Sequence, residues 1–218
     1  MRKILLTVLS VLALNAMAQE KEDVKVNDFK KWQVRLRGVG VVPTESAKIG
    51  VIGGDANISN ALIPELDFTY FFTEHIAAEL ILGTAKHDVK AVGTAAGNVD
   101  LGSVWLLPPT LTAQYHFYAT KDKVLKPYVG AGVNYTIFYN VKSGTVADVK
   151  YDNALGYAVQ VGFDLMLNDK FFINVDAKRL FLNTDVTVDA SNLAPGLSIP
   201  ADVDIDPWLF GMGIGMKF

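Results

Sequence analysis

The sequence contains no cysteine, which excludes a disulfide framework and any thiolate metal site. Beyond its first residues it has no run approaching the about 18 consecutive apolar residues of a membrane helix, so a helical membrane protein is excluded too. Basic charge is not in excess: a formal net charge of −3 offers no cationic face for nucleic acid. What the chain does have is an apolar surplus, with 50% of its residues hydrophobic. Apolar excess without helical spans fits transmembrane strands, whose signal per segment is weaker.

The N-terminus indicates the compartment. Met1-Arg2-Lys3 is a short basic start, residues 4–14 are apolar except for Thr7 and Ser10, and Ala16-Met17-Ala18 forms a small-x-small site before Gln19. This is the pattern of a secretory signal peptide over residues 1–18, since a membrane anchor needs about 20 apolar residues. Residues 19–31 are polar, charge-rich and aperiodic, and read as a flexible periplasmic arm. Residues 32–218 remain for one domain or one barrel.

From Trp32 onward the apolar pattern has period two, the spacing of strands with two unlike faces. The last such stretch is the cleanest. Trp208, Phe210, Met212, Ile214, Met216 and Phe218 form one face, opposed by Leu209, Gly211, Gly213, Gly215 and Lys217. Likewise Leu155, Tyr157, Val159, Val161, Phe163 and Leu165 oppose Ala154, Gly156, Ala158, Gln160, Gly162 and Asp164. Small residues share a face with the charges, and the large apolar side chains lie opposite. A soluble barrel would reverse this. The pattern predicts an all-β, eight-stranded antiparallel up-and-down transmembrane barrel of the bacterial outer membrane, with strands at 32–42, 63–72, 76–89, 104–118, 126–141, 154–167, 171–184 and 206–218. Connections at 73–75, 119–125 and 168–170 are short, whereas 43–62, 90–103, 142–153 and 185–205 read as long extracellular loops. An even strand count leaves both ends of the barrel chain in the periplasm.

Four strings carry a family resemblance: YFFTEHIAAEL from Tyr70, LLPPTLTAQYHF from Leu106, KPYVGAGVNYTIF from Lys126 and IDPWLFGMGIGMKF from Ile205. Together they resemble the OmpW family of outer-membrane proteins, over most of the chain from Trp32 to Phe218. The resemblance implies an eight-stranded barrel with a narrow, largely hydrophobic lumen, passage of small hydrophobic molecules, and a lateral exit into the bilayer near Pro108 and Pro109. Phe218 resembles the C-terminal signal read by the outer-membrane assembly machinery.

The physics of the prolines stands without the family. Proline lacks the N–H that a ladder needs and a closed barrel has no edge to hide it, so Pro108 and Pro109 should open a local gap between strands. A tolerated bulge is the alternative, and a bulge would flip the inward register of Leu106 and Pro108.

The alternation assigns the lumen. Arg35, Arg37, Glu65, Asp67, Glu79, Asp164, Asp176, Lys178 and Lys217 point inward, with Gln33, Gln114 and His116, mostly near short turns or chain ends. They form a charged floor in the periplasmic half, where a narrow interior requires ion pairing. Structural filling is favoured over an ion path, because an eight-stranded interior is only just wide enough for side chains. Above it lies an apolar set of Val39, Val41, Ile63, Ile81, Leu106, Phe138, Leu180 and Leu182. A hydrophobic solute released downward would meet the charged floor at a desolvation penalty, which sideways release avoids. Gly211, Gly213 and Gly215 are read as leaving room inside the lumen. Arg179 faces lipid near the outer rim, either snorkelling or meeting a lipopolysaccharide phosphate.

An enzyme is the rival from another class, and the sequence argues against it. There is no G-x-S-x-G, the serines of the barrel region fall in or beside expected loops, and His75, His87 and His116 lie at different heights. Neither a cofactor nor a metal site is expected. The remaining alternative is a structural or adhesive barrel acting through its loops, such as the Gly50-Val51-Ile52-Gly53-Gly54 segment.

Overall fold

The computed structural model describes residues 29–218. The expected signal peptide, and residues 19–28 of the expected arm, lie outside the described residues. Strands follow in chain order as β1 (Trp32–Val42), β2 (Ser46–Ile49), β3 (Asp55–Ile58), β4 (Ala61–Phe71) and β5 (Ile76–Gly83). Next come β6 (Ala85–Thr94), β7 (Gly97–Leu107), β8 (Thr110–His116), β9 (Leu125–Lys142) and β10 (Asp148–Tyr151). Then come β11 (Ala154–Met166), β12 (Phe171–Phe181), β13 (Asn183–Asp189), β14 (Ser198–Asp204) and β15 (Trp208–Lys217).

Eight of these close a ring, paired antiparallel in the order β1, β4, β5, β8, β9, β11, β12, β15 and back to β1. At the seam the Trp32 N–H donates to Phe218 O at 3.1 Å and the Phe218 N–H to Trp32 O at 3.0 Å. Closure pairs the backbone groups that lipid cannot satisfy. The outer face carries exposed Leu36, Phe68, Leu80, Leu111, Val133, Val161, Met212 and Ile214. Near the short turns it is bounded by aromatic pairs, Trp32 with Tyr70 at 4.9 Å and Tyr115 with Phe117 at 4.9 Å. At the other end stand Trp105 with Tyr139 and Trp208 with Phe210.

The segments expected to be long loops carry strands instead. Above the ring, β10, β13, β14 and β2 form one sheet, while β3, β6 and β7 continue onto the upper part of β9 as another. Here the polarity of the two faces reverses. Val186, Val188, Ile199 and Val203 are buried, whereas Asp185, Thr187, Asp189, Ser198, Asp202 and Asp204 are exposed. The outward face meets water above the membrane, so the pattern becomes that of a soluble sandwich, apolar within and polar without. Two sheets facing each other in this way extend the barrel as a cup.

At the prolines the ladder breaks without losing its parity. Pairing of β5 with β8 stops at Ile81 opposite Thr110, and pairing of β6 with β7 resumes at Ala85 opposite Leu106. Leu82 to Thr84 and Leu107 to Pro109 have no ladder between them. Val104, Leu106, Thr110, Thr112, Gln114 and His116 are all buried on the lumen side, so the break does not flip the register. The lumen glycines do not leave empty space. A Cβ on Gly215 would lie 2.0 Å from the Phe172 ring, and one on Gly162 would lie 2.5 Å from the Tyr128 hydroxyl. These glycines admit large aromatic side chains from neighbouring strands.

Candidate functional site

The interior is layered. In the half nearer the short turns, β1 supplies Arg35 and Arg37, which neighbouring strands surround with carboxylates. Arg35 pairs with Glu79 and lies 3.7 Å from Asp164. Arg37 reaches Glu65 at 2.7 Å, Asp67 at 2.7 Å and Asp176 at 3.3 Å. The register explains the convergence: Arg35 stands opposite Asp67 and Arg37 opposite Glu65 on β4. Neutral groups complete the layer. Gln114 and Gln160 donate to Glu79 Oε2 at 2.6 and 2.8 Å, and Tyr128 donates to Asp176 at 2.9 Å with Arg35 stacked over its ring. Asn174 donates to Asp164 at 2.9 Å. Buried charges persist only when paired in this way.

Of the residues the sequence assigned to this floor, Lys217 stands apart. It sits over the Phe71 and Phe172 rings at 5.1 and 5.5 Å rather than in the ion-pair layer. Gln160, already on the inward face of the alternation, completes the layer with Tyr128, Phe172 and Asn174, which the sequence did not single out. Buried aromatic rings on a transmembrane strand look like interface residues until the facing glycines, Gly162 and Gly215, are matched to them.

Above the ion pairs lies a cavity of about 40 Å³, walled by Val41, Ile63, Ile81, Leu180 and Leu209, with Glu65 and Lys178 also in its lining. Pro108 and Gly83 form its wall at the break in the ladder. A larger cavity of about 120 Å³ occupies the cup between the two upper sheets, lined by Val99, Val146, Val186, Val188, Ile199 and Val203 among others. Phe138, Leu106 and Leu182 divide between these spaces: Phe138 lines the cup, Leu182 the lower cavity, and Leu106 both. Val39 belongs to the apolar cluster beneath the cup, with Val41, Ile63 and Leu180. His87 is buried in the shared wall, where its Nδ1 N–H donates to Ser59 O at 2.6 Å.

The proline break is braced from one side. Asn134 on β9 donates through Nδ2 to Pro108 O at 3.2 Å and Thr110 Oγ1 at 3.0 Å, and accepts from Thr136 at 2.8 Å. The Tyr135 N–H donates to Pro109 O at 3.1 Å. On the opposite side, toward β5, the bond found among the described residues is that of the Thr84 hydroxyl, which donates to Leu106 O at 3.0 Å. Arg179 meets Asp206 at 3.8 Å and stacks on Trp208, so its charge is already engaged within the chain. Among the described residues no three His, Asp or Glu side chains converge as a metal-binding group.

A closed ring with an apolar outer band, aromatic borders and an ion-paired floor defines an outer-membrane β-barrel. Comparison with known proteins agrees. Residues 30–218 match the OmpW family. The outer-membrane protein y4mB of Sinorhizobium fredii is 49% identical over 190 residues, 86% of this chain and 80% of that protein. The dibenzothiophene metabolism operon protein PahQ of Pseudomonas aeruginosa is 31% identical over 195 residues, 86% of this chain and 88% of that protein. Among solved structures, the outer-membrane protein OprG from Pseudomonas aeruginosa superposes with a TM-score of 0.79 at 27% identity, over 87% of this chain and 96% of that one. The chain belongs to the OmpW family and resides in the bacterial outer membrane.

Proposed function

We propose that the protein takes up small hydrophobic molecules through the cup and the cavity beneath it, and releases them sideways into the bilayer at Pro108 and Pro109. The single observation that carries this reading is the junction of an apolar cavity with a break in the barrel wall. The lower cavity is walled at the break by Gly83 and Pro108, with no ladder between Leu82–Thr84 and Leu107–Pro109. Downward release is opposed by the ion-paired layer, because an apolar solute there would strip charges of their partners. Sideways release needs no polar crossing. The metabolic setting named for PahQ, that of dibenzothiophene, an apolar heteroaromatic molecule, favours a cargo of the same class.

The test is to replace both prolines with strand formers, as Pro108→Val with Pro109→Thr, and to follow entry of an apolar aromatic solute into proteoliposomes. The outer leaflet should carry lipopolysaccharide, the barrier such solutes meet. Uptake is expected to fall to the rate of protein-free vesicles while the barrel still folds. Unchanged uptake sinks the lateral route.

A further inference from the structure

The polar groups lining the lower cavity are almost all engaged inside the protein. Thr110 donates to Pro108 O and accepts from Asn134, and Thr136 donates to Asn134. Two groups differ. Lys178 donates no hydrogen bond among the described residues, and its one ion-pair partner there, Glu65 Oε1, lies 3.6 Å away. Glu65 uses Oε1 for Arg37 at 2.7 Å, and its Oε2 makes no hydrogen bond among the described residues. Both residues are buried, 1% and 4% exposed, yet neither Lys178 Nζ nor Glu65 Oε2 is among the sealed, unpartnered atoms of the interior. The accessible surface they keep is the cavity they line.

We infer that the base of this cavity binds a hydroxyl group, so that the preferred cargo is an apolar molecule bearing one hydroxyl, such as a phenol or an alkanol. This rests on the uptake reading above and narrows its substrate class. A neighbouring donor and acceptor match a hydroxyl, which accepts from Lys178 and donates to Glu65 at once. A hydrocarbon, a carbonyl or a carboxylate does not serve both partners. A hydrocarbon leaves both unpaired, a carbonyl leaves Glu65 unpaired, and a carboxylate sets its charge against that of Glu65. The space above suits the rest of such a molecule. The lower cavity of about 40 Å³ holds a few water-sized groups, and the cup of about 120 Å³, sharing His87, Leu106 and Ile205 as wall, takes an apolar body.

The experiment uses one ring system with three substituents. The refolded full barrel in phospholipid vesicles is titrated with 2-naphthol, naphthalene and 2-naphthoate by fluorescence, corrected for partition into protein-free vesicles. The expected result is that 2-naphthol binds about tenfold more tightly than either analogue, the effect of one charge-assisted hydrogen bond. Lys178→Met should erase that advantage and Lys178→Arg should retain most of it. The ligand comparison on the unaltered protein decides the matter even if Lys178→Met fails to fold. Equal binding of 2-naphthol and naphthalene overturns the hydroxyl site and leaves the uptake reading standing. Tighter binding of 2-naphthoate overturns it too, because Lys178 would then act as a plain cation. If none of the three binds, both readings fall.

Discussion

Arg37 meets three carboxylates, Glu65, Asp67 and Asp176, and donates to Asn174 Oδ1 at 3.2 Å. Its planar fork can serve several acceptors at fixed angles, which a lysine ammonium at that position would not do. Removing it leaves buried acids without a partner, so Arg37→Met is expected to lower stability by about 3–5 kcal/mol. Equilibrium unfolding in urea from lipid vesicles measures this as a shift in the midpoint. At the same scale, Gly215→Ala places a methyl group against the Phe172 ring, which is fully buried. Such overpacking of a buried ring should cost about 1–3 kcal/mol in the same assay.

The strand pair around the prolines shows how an element can be interrupted without being lost. Asn134 ties Pro108 O and Thr110 Oγ1 from the β9 side, giving the Pro108 carbonyl a donor where backbone pairing with β9 is interrupted. Asn134→Val keeps strand propensity but removes those donors, and should destabilise the barrel by about 1–3 kcal/mol, read as a lowered urea midpoint. Period-two alternation made the membrane strands and their inward faces legible, including Arg35, Arg37, Glu79 and Asp164, because lipid and lumen impose opposite demands on adjacent residues. It was less informative above the membrane. There Asp185, Thr187 and Asp189 give strand β13 a water-facing side that resembles loop composition, although Val186 and Val188 between them keep the same period. Parity also says which face a residue occupies but not how far it reaches. How far Tyr128 and Phe172 reach across the lumen became visible only with the glycines that face them. Lys178 was legible as an inward charge. That it keeps donors unused among the described residues depends on distances from β12 past β15 and β1 to β4, which no local pattern encodes.

At the scale of the whole molecule, one chain presents two solvent regimes along a single wall. The same outward substitution should therefore have opposite consequences at two heights. Val161 lies in β11 on the lipid face and is 57% exposed, whereas Ser198 in β14 is exposed above the membrane opposite Asp189. Val161→Arg is expected to cost about 2–4 kcal/mol, the penalty for a guanidinium near the bilayer midplane. Ser198→Arg should stay within about 0.5 kcal/mol, as surface changes usually do. Comparing their unfolding from vesicles checks both. The seam between Trp32 and Phe218 has a consequence in time as well as in space. The strands that close the ring are those farthest apart in the chain, so closure waits until β15 exists. A nascent or degraded polypeptide lacking β15 would present the bare edges of β1 and β12 to hydrocarbon, where unpaired backbone is not tolerated. Completeness of the chain is in this way a condition the bilayer places on its stability, because the paired ring exists only once β15 has joined it.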